Sequence, residues 1–208
     1  MKALLLIDIQ NDFLPGGALP VPQGDAIIPV VNRLTGSFAL VAATQDWHPR
    51  GHSSFASSHA GKKPFDILTK PTEEVSSERK QTLWPDHCVQ GTTGAAFPTS
   101  LDLRPAEAIF RKGTDPLIDS YSAFFDMDHR KSTGLTGYLR EKMVTAVYLA
   151  GLAGDICVFE TAMDSLREGF DTYFIEDATR PLDAGQLAKA LGQFVSGGGK
   201  VIGSEELY

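Results

Sequence analysis

The run Ala3–Ile9 is apolar at every position except Asp8, with none of the polar alternation of a half-exposed strand. Such a strand is buried on both faces, which restricts it to the interior of a parallel sheet covered by helices. The rest of the chain keeps the same rhythm. Phe38–Thr44, Ala108–Arg111, Ala146–Ala150, Asp171–Ile175 and Val201-Ile202 read as further strands. Between them, Asp25–Leu34, Gly134–Lys142, Gly154–Glu168 and Asp183–Val195 read as helices, with Asp25 as an N-cap or first-turn acid. The alternation predicts an α/β fold of three layers, α/β/α, around a mostly parallel sheet of about six strands. A single domain over residues 1–208 is expected, without internal repeat or linker. Its one departure from regularity runs from about Asp46 to Ser100, rich in Pro, Gly, Ser and His. So long an irregular excursion in a compact domain usually has a function.

Ligands of such folds sit beyond the carboxyl ends of the strands. The chemically capable residues of this chain fall there: Asp8 after the first strand, Asp46 and His48 after the second, Lys112 after the third, and Cys157 across a glycine-rich turn from the fourth. A thiol at a helix start feels the positive end of the dipole, and a neighbouring ammonium lowers its pKa further. A carboxylate beside it can take the thiol proton and hand it to a leaving group. N–H groups of the Gly151–Cys157 turn can face an oxyanion. These are the parts of an acyl-transfer site. Each residue also has a plainer reading, with Cys157 as a small core residue, Lys112 on the surface and Asp8 as a turn-forming acid. Cys88, beside His87, is a rival nucleophile without a helix start to activate it.

Asp46 and His48 are two apart, so in an extended segment they point to one side. With the distant His87 they make an open set of N and O donors suited to a divalent ion. A surface Asp and two solvated loop histidines would show the same spacing. Phe13, Trp47, Trp84 and Tyr121 are either packing aromatics or, if they gather near the polar cluster, walls for a flat ring.

Bulk properties narrow the partners. The net charge of −7 disfavours nucleic acid. No apolar run approaches the roughly 20 residues of a membrane span, and the N-terminal run lacks a signal peptide's length and cleavage site. Two cysteines, Cys88 and Cys157, make no disulfide framework, so a cytoplasmic protein with reduced thiols is expected. The sequence is compatible with a homo-oligomer.

Five segments in order carry a resemblance: Ile7-Asp8-Ile9-Gln10-Asn11-Asp12-Phe13, Thr44-Gln45-Asp46-Trp47-His48-Pro49, Leu83-Trp84-Pro85-Asp86-His87-Cys88-Val89-Gln90-Gly91-Thr92, Lys112-Gly113 and Gly151-Leu152-Ala153-Gly154-Asp155-Ile156-Cys157-Val158. Together they resemble the nicotinamidase (pyrazinamidase) branch of the isochorismatase-like cysteine hydrolases, over Met1 to about Asp177. The Asp, Lys and Cys pieces are those of the wider superfamily, and the Asp-Trp-His and Trp-Pro-Asp-His pieces point to the branch.

The resemblance implies hydrolysis of nicotinamide to nicotinate and ammonia in NAD salvage, with pyrazinamide accepted as well. Cys157 would be the nucleophile, Asp8 its base and later the acid, and Lys112 the cation that keeps both charged. The N–H groups of Ala153 and Cys157 would form the oxyanion hole, after a cis Leu152–Ala153 bond. Asp46, His48 and His87, with His52 as an extra ligand in some members, would hold one divalent metal (Zn, Fe or Mn) that seats the pyridine nitrogen. Phe13, Trp84 and Tyr121 would line the ring pocket, whereas His59 and His129 are surface residues. Gly154 stands where the family has Thr, which implies a looser oxyanion turn. Three other readings compete: a superfamily amidohydrolase for carbamoyl or ureido substrates, hydrolysis by metal-activated water with Cys157 incidental, and a non-enzymatic metal or thiol-switch module.

Overall fold

The computed structural model describes residues 1–71 and 78–208. Six strands form one parallel sheet: β1 (Lys2–Ile7), β2 (Leu40–Asp46), β5 (Ala106–Lys112), β6 (Ala146–Leu152), β7 (Asp171–Arg180) and β8 (Lys200–Ile202). Their order across the sheet is β5-β2-β1-β6-β7-β8. The chain winds outward from β1 through β2 to β5, then returns to β6 on the other side of β1. The β1/β6 boundary is therefore the point where the winding reverses, and a crevice opens there beyond the carboxyl ends.

Alternation along the strands builds two cores. Leu4, Leu6, Val41, Ala43, Tyr148 and Ala150 face one side and meet Ile28, Val31 and Leu34 of α1 (Ile28–Leu34). Ala3, Leu5, Ile7, Leu40, Ala42, Val147 and Leu149 face the other. There they meet α2 (Leu135–Glu141), α3 (Phe159–Arg167) and Phe194 of α4 (Ala184–Ser196). Both faces of β1 are filled, as its unbroken apolar run requires.

Three details depart from the sequence reading. Asp25 does not cap α1: it lies in a 3₁₀ turn, Gly24–Ile27, and α1 begins after it with Pro29 in its first turn. Pro fits there because its missing N–H would have no helical partner in any case. The excursion after β2 is not wholly irregular, since it holds a two-stranded antiparallel ribbon, β3 (Ile67–Pro71) and β4 (Glu78–Thr82). And β7 runs on to Arg180, well past Ile175, through an irregularity opposite β6.

Gly151 pairs with Ile7 at the winding reversal, at φ +135°. A Cβ there would collide with the Ile7 backbone. Gly151→Ala is expected to cost about 2–4 kcal/mol, from a forbidden φ and a backbone clash at once. Urea unfolding followed by circular dichroism checks this, and a midpoint equal to wild type would contradict it.

Candidate active site

The four strand ends converge. Asp46 and Lys112 are register partners as the last residues of β2 and β5, Asp8 follows β1 directly, and Cys157 follows β6 in the turn into α3. Lys112 stands at their centre. Its Nζ lies 2.9 Å from Asp8 Oδ2 and donates to Asp46 Oδ1 at 3.1 Å, to the Ser120 carbonyl at 2.9 Å and to Cys157 Sγ at 3.6 Å. All four side chains are buried, Asp8 at 0% exposure and Lys112 at 2%. The plainer readings of Lys112 as a surface residue and of Cys157 as an isolated core residue do not hold.

Cys157 occupies a wide π-type turn, Gly154–Val158, in which the Val158 N–H reaches back to the Ala153 carbonyl. Its side chain sits at the start of the helical segment that continues as α3, where N–H groups lack a preceding turn of carbonyls. The Leu152–Ala153 peptide is cis. Asp155 closes the turn from outside, accepting the Leu182 and Asp183 N–H groups on its two oxygens. Gly154 is closely packed. It is buried at ordinary φ, and a Cβ would come within 2.6 Å of the Thr179 methyl group. The missing side chain is a steric fit to β7.

The metal-type donors come together around Asp46. The loop carrying His87 runs beside the continuation of β2: His48 N–H donates to the Cys88 carbonyl at 3.0 Å, and Gln90 N–H to the His48 carbonyl at 2.9 Å. Asp46 Oδ2 lies 2.9 Å from His48 Nε2 and 3.3 Å from His87 Nε2. Each imidazole turns its Nδ1 to a carbonyl, His48 to Gly113 at 3.0 Å and His87 to Pro85 at 2.8 Å. Donation from Nδ1 leaves a lone pair on Nε2, the tautomer that ligates metals. With that tautomer the two Nε2 atoms and the Asp46 carboxylate converge as N and O donors, a set that fits a divalent ion. Gly113, at φ +64°, allows the close packing; a Cβ there would lie 2.5 Å from His48 Cε1.

His52 is set apart from this trio. Its ring packs 4.3 Å from that of His48, its Nδ1 meets the Ser54 hydroxyl at 2.7 Å, and its buried Nε2 has no partner. It groups with His48 and Asp119 as a second donor set sharing one imidazole. His129 is exposed as expected, while His59 is half-buried on the Ser53 carbonyl.

A cavity connects the two clusters, with Cys157 and Ala153 on one wall and Asp46, His48 and His87 on another. Phe13, Trp84 and Tyr121 line it. Trp84 Nε1 donates to the Tyr121 hydroxyl at 3.0 Å, which locks both rings. Trp47 is elsewhere, stacked on the Arg111 guanidinium at 3.9 Å. Leu19, Asp119, Ile156 and Leu182 also line the cavity and escaped the sequence reading. Leu182 gave no signal, because the strand that leads to it reads from the sequence as ending at Ile175 and runs on to Arg180 only in the fold. Gln10 was missed too: its amide brackets Asp46, accepting the Asp46 N–H and donating to the Asp46 carbonyl, both at 2.8 Å. Strand alternation could not have placed it, because β1 ends at Ile7 and the chain turns at Asp8.

Burial, the strongest influence here, raises the Asp8 pKa; Asp46 adds to the rise and Lys112 opposes it. Burial would also raise Asp46, but His48 and Lys112 overcome it and hold that carboxyl well below its ordinary range. For Cys157 burial wins: the thiol is pushed well up, with Lys112 opposing and Asp8 and Asp46 reinforcing. Lys112 is thus the charge that favours the Cys157 thiolate, acting against the burial of the sulfur. Lys112 itself stays an ammonium, because Asp46 and Asp8 outweigh its own burial.

A buried thiol, carboxyl and ammonium at the winding reversal of a parallel sheet form the arrangement of a cysteine-dependent α/β hydrolase. The isochorismatase domain model matches residues 2–206, and the chain belongs to that family. It is 45% identical over 206 residues to the nicotinamidase of Acinetobacter baylyi, an alignment covering 99% of this chain and 94% of the relative. Its structure superposes with a TM-score of 0.93 on a nicotinamidase/pyrazinamidase from Acinetobacter baumanii, at 46% identity over 100% of this chain and 98% of that one. The pyrazinamidase of Pyrococcus horikoshii, solved in complex with zinc, superposes at 0.78 with 37% identity over 97% of this chain and 98% of that one.

Replacing Lys112 by Met removes the one nearby charge that lowers the Cys157 pKa. In a Cys88→Ala background, iodoacetamide labelling of Cys157 is expected to slow more than about tenfold at neutral pH and to shift its profile to higher pH. An unchanged profile would remove Lys112 as an influence on the thiol.

Proposed function

We infer that this protein hydrolyses nicotinamide to nicotinate and ammonia, a step of NAD salvage, and that it deamidates pyrazinamide as well. The observation that carries this reading is the single cavity with a thiol on one wall and an Asp-His-His donor set on another, walled by aromatics. An aromatic ring carrying both a nitrogen donor and a carboxamide can engage both walls at once. Nicotinamide and pyrazinamide have that form. Flat, half-polar rings also suit a pocket lined by Phe13, Trp84 and Tyr121.

Asp46, His48 and His87 would hold the ion, zinc, iron or manganese, with His52 at hand as a further donor. Held there, such an ion would supply a Lewis-acidic partner for a ring nitrogen and would help orient the carboxamide. The reaction itself belongs to the chain. Asp8 takes the Cys157 thiol proton as the sulfur attacks the carboxamide carbon. A resting thiol and a carboxyl of raised pKa suit such a concerted transfer better than a permanent thiolate would. The N–H groups of Ala153 and Cys157 receive the oxyanion. Asp8 then returns the proton to the amide nitrogen, the C–N bond breaks and ammonia leaves a thioester on Cys157. Water attacks the thioester carbon while Asp8 takes a proton from it. The C–S bond breaks, the sulfur regains its proton and nicotinate departs.

The small-molecule substrate needs no basic or membrane-facing surface. No helix among the described residues is long and apolar enough to cross a membrane. Both cysteines are free and buried, in keeping with the reducing cytoplasm we assign to the protein.

Ammonia release from nicotinamide tests the reading directly. Wild type is expected to be active, stripping of metal to weaken it, and Cys157→Ala to be inactive. Asp8→Asn should fold yet lose at least about 10³-fold in kcat, since shape is kept and the base removed. Cleavage of carbamoyl or ureido amides with nicotinamide untouched would overturn the substrate. Full activity in Cys157→Ala would transfer the chemistry to a metal-activated water.

A further inference from the structure

The two oxygens of Asp8 have different surroundings. Oδ1 accepts the hydroxyl proton of Thr44 at 2.6 Å, and that hydroxyl in turn accepts the Asp8 backbone N–H at 3.1 Å. A threonine hydroxyl has one proton to give. With the backbone N–H occupying its oxygen, that proton is committed to Oδ1. Thr44 is 1% exposed in the middle of β2, so water does not compete for it.

Oδ2 is the opposite case. Lys112 Nζ lies 2.9 Å from it as an ion pair, and among the described residues no donor is aligned on the buried Oδ2. The ammonium has three protons and three aligned acceptors elsewhere: Asp46 Oδ1, the Ser120 carbonyl and Cys157 Sγ. A buried carboxylate oxygen left without a donor is costly and persists where function needs it. Charge attraction holds Oδ2 in place while its lone pairs remain free.

Resting on the cysteine-hydrolase reading above, we propose that Thr44 is a positioning residue that closes Oδ1 to proton transfer, making Oδ2 the one oxygen of Asp8 that carries the proton from Cys157 to the leaving ammonia. The Thr44 hydroxyl locks the carboxylate against rotation about its Cα–Cβ and Cβ–Cγ bonds, because it grips the side chain and the backbone N–H of the same residue. Without it the two oxygens can exchange places and Lys112 can rotate a proton onto either. The oxygen that takes the thiol proton would then no longer be fixed. Thr44 touches neither substrate nor the reacting sulfur, so its effect falls on turnover rather than on binding.

The test compares Thr44→Val, which keeps the branched shape and removes the hydroxyl, with Thr44→Ser, which keeps the hydroxyl and removes the methyl. Steady-state kinetics with nicotinamide and metal content are measured for each. Thr44→Val is expected to lose about 10- to 100-fold in kcat, with KM within about twofold of wild type and metal content unchanged. Thr44→Ser is expected to stay within about threefold of wild type in kcat. Thr44→Ala, also lacking the hydroxyl, replaces the Val variant if that one fails to fold. Wild-type kcat in the hydroxyl-free variant overturns the proposal. So does a loss expressed as raised KM with metal depleted, which would place the effect in Asp46 at the end of the same strand. Equal loss in Thr44→Ser overturns it too, since the methyl group would then be what matters. None of these outcomes touches the parent reading, which fails separately if wild type leaves nicotinamide intact or Cys157→Ala remains active.

Discussion

The buried ammonium of Lys112 is the interaction on which the site depends. Alone at 2% exposure it would be prohibitively unstable, and so would the carboxylates of Asp8 and Asp46. Together they offset one another's desolvation, and the Ser120 carbonyl completes the hydrogen bonding. The pairing also ties two chemistries to one point. Asp46 faces the imidazoles of His48 and His87 with Oδ2 and Lys112 with Oδ1, while Lys112 faces Asp8 and Cys157. A change at the donor set therefore reaches the thiol through two contacts.

That centre exists because of sheet topology. β2 and β5 are parallel neighbours in a register that ends on Asp46 beside Lys112. β1 and β6 flank the winding reversal and deliver Asp8 and the Cys157 turn to the same end. None of the four residues is near another in sequence. Parallel strands bring them together because every strand of such a sheet has its carboxyl end on one edge.

This logic explains why so much was legible in the sequence. The unbroken apolar run of β1 demanded a parallel sheet, and polar residues placed just past each run marked the crevice. The aromatic walls Phe13, Trp84 and Tyr121 came from the resemblance and lie where it implied. What stayed hidden depended on pairing across long separations. Gln10, Thr44 and Asp119 are ordinary polar residues until the fold sets them against Asp46, Asp8 and His48. The β3–β4 ribbon was obscured because it lies apart from the main sheet, and Ile67, at 59% exposure, shows how little it is packed. The thiol's state could not be read either. Proximity to a lysine suggests activation, but the extent of burial, which runs against it, is a property of the packed site.

Gly154 shows how a departure from a family pattern should be weighed. Judged by the turn alone, glycine in place of threonine adds backbone freedom next to Cys157. In the folded chain the space of that side chain is occupied by the methyl of Thr179, whose own hydroxyl donates to the Ile175 carbonyl at 3.0 Å and so cannot swing away freely. Thr179 belongs to the extension of β7 that pairs with Gly151, on the strand leading into the cis peptide and the Gly154–Val158 turn. Asp155 adds a second tie from the turn to the Leu182 loop at the end of β7. Rigidity that a side chain at 154 would supply from within the turn is supplied here by the neighbouring strand, so the loss of a side chain and the order of the turn are compatible.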